Sequence, residues 1–121
     1  MHARALIFTI PEITTGVSFD TVAREWRCKW SADNDKASLA AAQVALDSVI
    51  ASTKAVAGVK SVQRVVCGDC LDFKVTTSVE GAAFGAWEAK GFSPEAEFLA
   101  KLNEIEGVSQ VETQTFTLMQ M

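Results

Sequence analysis

The chain has no tyrosine and a single histidine, His2, two residues from its start. General acid–base chemistry is therefore left to carboxylates and lysines. No nucleophile–histidine pair, phosphate loop or paired-carboxylate motif can be assembled, which argues against an enzyme. His2 reads as incidental rather than as a ligand. No apolar run reaches membrane-spanning length. The apolar stretch Ala5–Ile10 is short and lacks a small-residue cleavage site, so no leader peptide is read. Cysteines number three, an odd count without a secretion signal, and this predicts reduced thiols in a cytoplasmic setting. Basic residues are outnumbered, for a net charge of −4, which argues against non-specific nucleic-acid binding.

What is present is an ordinary globular composition, 49% hydrophobic and 21% charged over 121 residues, enough for one domain with one core. Val59–Val79 organises it. Cys67-Gly68-Asp69-Cys70 interrupts two strand-like runs, and Gly68-Asp69 predicts a two-residue type II′ hairpin loop. That loop sets Cys67 opposite Cys70, Val66 opposite Leu71, Arg64 opposite Phe73 and Val62 opposite Val75. Alternation then sends Leu71, Phe73, Val75, Thr77 and Val79 to an apolar face, with Val62 and Val66. Asp72, Lys74, Thr76 and Ser78 go to a polar face. Arg64 falls on the apolar side as a misfit, tolerable on an edge strand where it can snorkel outward.

Arg24–Ser31 alternates cleanly, with Trp26, Cys28 and Trp30 on one side and Glu25, Arg27 and Lys29 on the other. A long helix follows to about Ala57, with a stripe of Leu39, Ala42, Leu46, Val49, Ile50 and Thr53 edged by Gln43. Gly58 ends it. After the hairpin, residues 82–90 make one or two helical turns. Ser93-Pro94-Glu95 then predicts a helix start, Ser93 capping and Pro94 in the first turn. Phe98, Leu99, Leu102 and Ile105 form that helix's stripe. Val108–Met119 is a last strand. Residues 1–22 read as an arm, with an added edge strand at Ala3–Ile10 and a loop at Ile13–Asp20. Residues 23–121 read as β-α-β-β-α-β, the ferredoxin-like α+β fold: an antiparallel sheet, two helices on one face, the other face open.

The open face carries charges where RNA-recognition domains carry stacking aromatics. The hairpin tip, Cys67, Gly68, Asp69 and Cys70, with Arg27, Lys29 and Lys74 of that face, is the predicted binding surface. The thiol pair lacks the helix N-terminus that activates thioredoxin-like cysteines. Cys28, sent to the opposite face, cannot complete a metal site with them. No metal and no cofactor are predicted. Oxidation to a cross-turn disulfide is sterically open.

Two stretches carry a family resemblance. One is Val65-Val66-Cys67-Gly68-Asp69-Cys70-Leu71-Asp72-Phe73-Lys74-Val75, a strand, glycine turn and Leu-x-x-Lys-Val. The other runs from Leu102 through Ile105-Glu106-Gly107-Val108-Ser109-Gln110-Val111-Glu112. With the element order, they make residues 24–119 similar to the nucleotide-exchange domain of the beta-type subunit of translation elongation factor. The leading reading is a non-enzymatic protein-interaction module that self-associates or, as the resemblance implies, docks on a GTPase-type partner. The alternative of another class is a dimeric α/β-barrel-type enzyme or binder of small molecules. An enclosed cavity of several hundred cubic ångströms between helices and sheet would mark it. A thiol- or metal-binding protein built on Cys67 and Cys70 is the third reading.

Overall fold

The computed structural model describes residues 10–121. His2 and the strand predicted at Ala3–Ile10, all but its last residue, lie outside the described residues. The predicted loop at residues 13–20 holds a small antiparallel hairpin instead, β1 (Glu12–Thr14) and β2 (Val17–Ser18), turned by Gly16 at φ 83°. The first long strand, β3 (Thr21–Lys29), starts three residues earlier than the alternation suggested. The helix α1 (Asp33–Lys54), the hairpin strands β4 (Val59–Val66) and β5 (Asp72–Glu80), the helices α2 (Gly81–Ala89) and α3 (Glu95–Asn103), and β6 (Ser109–Leu118) complete the chain.

The second sheet runs β4-β5-β3-β6, antiparallel at every pairing. This is the expected α+β ferredoxin-like arrangement. Alternation along β3 decides which face is which. Trp26, Cys28 and Trp30 are 1%, 2% and 5% exposed and join Phe73, Val75 and Val79 in the core. Ala42, Leu46 and Val49 of α1, Trp87 of α2 and Phe98 and Leu102 of α3 close over them. All three helices therefore cover one face. Each fully buried aliphatic or aromatic side chain contributes roughly 1.5–3 kcal/mol.

Gly58 turns the chain from α1 into β4 at φ 82°, and a Cβ there would collide with Ala83. The start of α1 is unusual. Asn34, Asp35 and Lys36 have φ of 54°, 58° and 62°, one left-handed turn before the right-handed helix begins. A left-handed conformation costs roughly 1–2 kcal/mol per non-glycine residue, less for Asn and Asp, whose short side chains bond locally. Ser93 does not cap α3: Pro94 occupies the cap position, and the Ser93 carbonyl accepts from the Trp87 indole at 2.9 Å.

The hairpin differs from the two-residue turn in a specific way. Val66 pairs with Phe73 and Arg64 with Val75, two positions from the predicted register. Cys67 N–H donates to the Asp72 carbonyl at 3.0 Å, so the loop is Gly68–Leu71, four residues long. The positive φ falls on Leu71 (60°), not on Gly68. The end of β3 stabilises this longer loop: Trp30 N–H donates to the Leu71 carbonyl at 2.9 Å and Lys29 Nζ to the Cys70 carbonyl at 2.7 Å. A slip of two preserves the side-chain parity, so every predicted face assignment survives it.

Candidate functional site

The predicted site residues lie at one end of the sheet. On the open face, Asp72 of β5 is ringed by all three predicted cations: Lys29 Nζ at 2.7 Å, Arg27 at 3.8 Å and Lys74 at 3.9 Å. The Lys29 hydrogen bond, above all, holds the Asp72 carboxyl below its usual value of 3.8, against the opposing pull of burial. The charges of Lys29, Lys74 and Arg27 add to the effect. Arg27 also meets Glu25 at 3.4 Å and Glu112 at 4.0 Å. Three cations thus face three anions, and this face offers a matched network rather than an unpaired charge.

Cys67 and Cys70 are joined as a disulfide, Cα atoms 5.6 Å apart. The bond encloses Gly68 and Asp69 within the four-residue loop, and it overturns the expectation of reduced thiols for this pair. Gly68 and Asp69 are exposed between them. Cys28 sits in the core on the other face, as the alternation predicts. Burial first, and the Asp72 charge second, push its thiol up to about 11. Among the described residues no group of three or more His, Cys, Asp or Glu is placed to hold a metal.

A concave feature lies on the helix side of the same hairpin. A groove of about 400 Å³ runs between α1 and the β4–β5 edge, open to solvent rather than enclosed. Leu39, Ala40, Val66 and Phe73 give it an apolar lining. Asp35 and Lys36, both left-handed, form part of its rim, and Gln43 and Arg64 another part. Arg64 is the misfit of the hairpin pattern. It lies on the edge strand, as that misfit required, and donates to Gln43 Oε1 at 2.6 Å. Gln43, the polar edge of the α1 stripe, bonds Asp47 at 2.8 Å as well. Among the described residues Arg64 has no carboxylate partner within 4.0 Å. A guanidinium beside an apolar trough, held by one neutral amide, can take an anionic oxygen with its remaining donors.

Sequence reasoning missed a second polar cluster on the helix side. Arg24 of β3 makes two bonds to Glu95 of α3, Nε at 2.8 Å and Nη2 at 3.3 Å. It also donates to Thr113 and Thr115 of β6, each at 3.0 Å, and stacks over Phe92 at 4.1 Å. The Trp26 indole donates to the same Glu95 oxygen at 2.8 Å. The available signal was parity: Arg24 is two residues before Trp26 and must share its face. Each of the three guanidinium nitrogens, and the indole nitrogen, has an acceptor, so this cluster fastens α3 to the sheet.

No protein-family model matches the chain, and no curated protein does. Solved structures do match in fold. A Deinococcus radiodurans protein assigned to the antibiotic biosynthesis monooxygenases superposes with a TM-score of 0.62 at 14% identity, over 83% of this chain and 94% of that one. The ActVA-Orf6 monooxygenase of Streptomyces coelicolor, solved with the ligand nanaomycin D, gives 0.59 at 16% identity, over 85% and 90%. A point mutant of SnoaB of Streptomyces nogalater, a cofactor-independent oxygenase, gives 0.56 at 17% identity, over 84% and 96%. These neighbours overturn the likeness to an elongation-factor exchange domain. The residues behind it belong to the scaffold: a glycine-containing hairpin loop, and a helix-to-strand turn at Gly107, where φ is 94° and a Cβ would press on Ser38 at 3.1 Å. With it fall the non-enzymatic, GTPase-docking reading and the inference against catalysis, because near-full-length neighbours of this fold are oxygenases. What the chain shares with them, at these identities, is the ferredoxin-like α+β fold.

Proposed function

We propose that this chain is a small-molecule enzyme of the monooxygenase type, which seats a largely apolar organic anion in the groove between α1 and the β4–β5 edge. The observation that carries the reading is Arg64. It stands on the apolar side of the sheet beside Leu39, Ala40, Val66 and Phe73, with Gln43 as its hydrogen-bond partner among the described residues. The fold likeness to oxygenases supports the reaction class. The volume, about 400 Å³, suits a molecule of a few fused or linked rings.

Arg64 would hold the substrate's ionised oxygen, the form in which a phenol or enol gives up electrons to dioxygen most readily. Lys36, which also lines the groove, adds a second positive charge, and Asp35 beside it is the carboxylate for proton transfer. Strained backbone at Asp35 and Lys36 supports the assignment, since such strain concentrates at functional sites. Self-association is the partner mode in this reading, and the cytoplasm is the compartment. Among the described residues no helix is long and apolar enough to cross a membrane.

Fluorescence titration with 8-anilinonaphthalene-1-sulfonate, an apolar anion, tests the binding site. Arg64→Leu should weaken binding by about tenfold, on the order of one charge-assisted hydrogen bond. An oxygen electrode with a panel of electron-rich phenols tests the reaction. Equal probe affinity in the two proteins, with chemical-shift changes mapping away from Leu39 and Phe73, would remove the groove as the site.

A further inference from the structure

We propose that Cys67 and Cys70 form a thiol–disulfide exchange site of fixed polarity, in which a low-molecular-weight thiol attacks Cys70 and Cys67 leaves. The two sulfurs have different surroundings. Cys70 N–H donates to Cys67 Sγ at 3.1 Å, so a negative charge arriving on Cys67 meets a hydrogen-bond donor. Cys70 Sγ lies 3.4 Å from Asp72 Oδ2, and a negative charge there meets a carboxylate. Lys29 does not reverse this polarity, because it is bonded to Asp72 and to the Cys70 carbonyl. Solvent access favours the same direction, Cys70 being exposed and Cys67 partly covered; the Asp72 carboxylate slows the incoming thiolate, so the leaving group decides the polarity. Exchange is fastest when the attacked sulfur is open and the leaving thiol is the more acidic.

The frame does not depend on the sulfur–sulfur bond. Cys67 N–H is bonded to the Asp72 carbonyl, Trp30 N–H to the Leu71 carbonyl and Lys29 Nζ to the Cys70 carbonyl. These three bonds hold the loop to the sheet in either redox state, so the dithiol stays positioned to close again. In the forward direction a thiol RSH forms R–S–S–Cys70 and releases Cys67 as thiolate, its proton going to solvent. A second RSH displaces Cys70, giving RSSR and the protein dithiol. Two thiols are oxidised and one protein disulfide is reduced. The site is separate from the groove chemistry, although Val66 and Phe73, which line the groove, flank the loop it closes.

Single variants separate polarity from exposure. Cys70→Ser leaves Cys67 alone, and Cys67→Ser leaves Cys70 alone. At neutral pH iodoacetamide should alkylate Cys67 about tenfold faster than Cys70, the reverse of the order that exposure gives. Adding Asp72→Asn to Cys67→Ser should speed Cys70 and narrow the gap. In the unaltered chain, glutathione followed by a rapid iodoacetamide quench should place glutathione on Cys70 and the alkyl group on Cys67. Buried Cys28 should stay unmodified in each case. Faster alkylation of Cys70, glutathione mapped to Cys67, or a disulfide inert to millimolar glutathione would each overturn the proposal.

Discussion

Arg24 and Arg64 both stand on the helix-covered side of one sheet, where a cation is least expected, and the chain treats them oppositely. Arg24 lies on an inner strand under α3 and is saturated by Glu95, Thr113, Thr115 and the Phe92 ring. Arg64 lies on the edge strand under α1 and is held by Gln43. A guanidinium with a partner at every nitrogen stabilises the fold and has little to offer a ligand. One with donors to spare, at the edge of an apolar groove, contributes little to the fold and is available for binding. The same residue type thus reads as a fastening in one place and as a site in the other, and the difference is decided by partners, not by depth alone.

The contrast makes stability the first place to break it. Trp26 carries both the packing and the indole bond of the Arg24 cluster, touching Phe98 at a ring separation of 5.3 Å. Trp26→Ala should cost about 3–5 kcal/mol by urea unfolding. A cost below about 1 kcal/mol would mean that the cluster is not part of the cooperative core. Arg24→Met comes next. It leaves the carboxylate of Glu95, whose side chain is 14% exposed with the arginine in place, with only the indole as partner, and it should cost about 3 kcal/mol. A double-mutant cycle with Glu95→Gln should recover about 2 kcal/mol of coupling. Simple additivity would reduce the pair to a surface contact and erase the difference from Arg64.

Thr77 lies between the two arginines. It is paired across β3 with Arg24 and across β4 with Val62, and it is fully buried. Among the described residues its hydroxyl oxygen has no hydrogen-bond partner. Thr77→Val removes that hydroxyl at nearly constant shape and should stabilise the protein by about 1 kcal/mol. Destabilisation instead would show that a water or a ligand atom satisfies the hydroxyl in solution, extending the polar line from Arg24 toward the groove.

Much of this was legible in the residues themselves. Period-two alternation placed Trp26, Cys28 and Trp30 under the helices and Glu25, Arg27 and Lys29 on the open face, and the element order gave the ferredoxin-like sheet. Parity is robust because a register slip of two leaves it unchanged, and that is why the wrong turn at Gly68-Asp69 did no damage to the faces. The turn itself was not legible. The loop length was set by bonds from the Lys29 ammonium and the Trp30 N–H to loop carbonyls, and both donors are distant in sequence. The proposed site was visible only as a misfit: Arg64 violated the apolar face, and Gln43 violated the helix stripe. Neither signal says that the two side chains meet. The left-handed turn at Asn34–Lys36 had no signal beyond an Asn-Asp pair that also suits a helix cap.

The smallest expected effect is the one that sharpens the comparison most. Arg64→Leu should change the unfolding free energy by less than about 0.5 kcal/mol. The side chain belongs to an exposed residue on an edge strand, and its single bond to Gln43 is to a neutral amide already shared with Asp47. Leucine restores the apolar pattern of β4 beside Val62 and Val66, which offsets the lost bond. Arg24 has no such substitute, since any apolar residue there strands Glu95. A cost for Arg64→Leu approaching that of Arg24→Met would make Arg64 a second fastening between α1 and the sheet. The groove beside it would then be the gap such a fastening spans, and the contrast between the two arginines would be lost. A cost near zero, with probe binding weakened, leaves ligand binding as what this cation does.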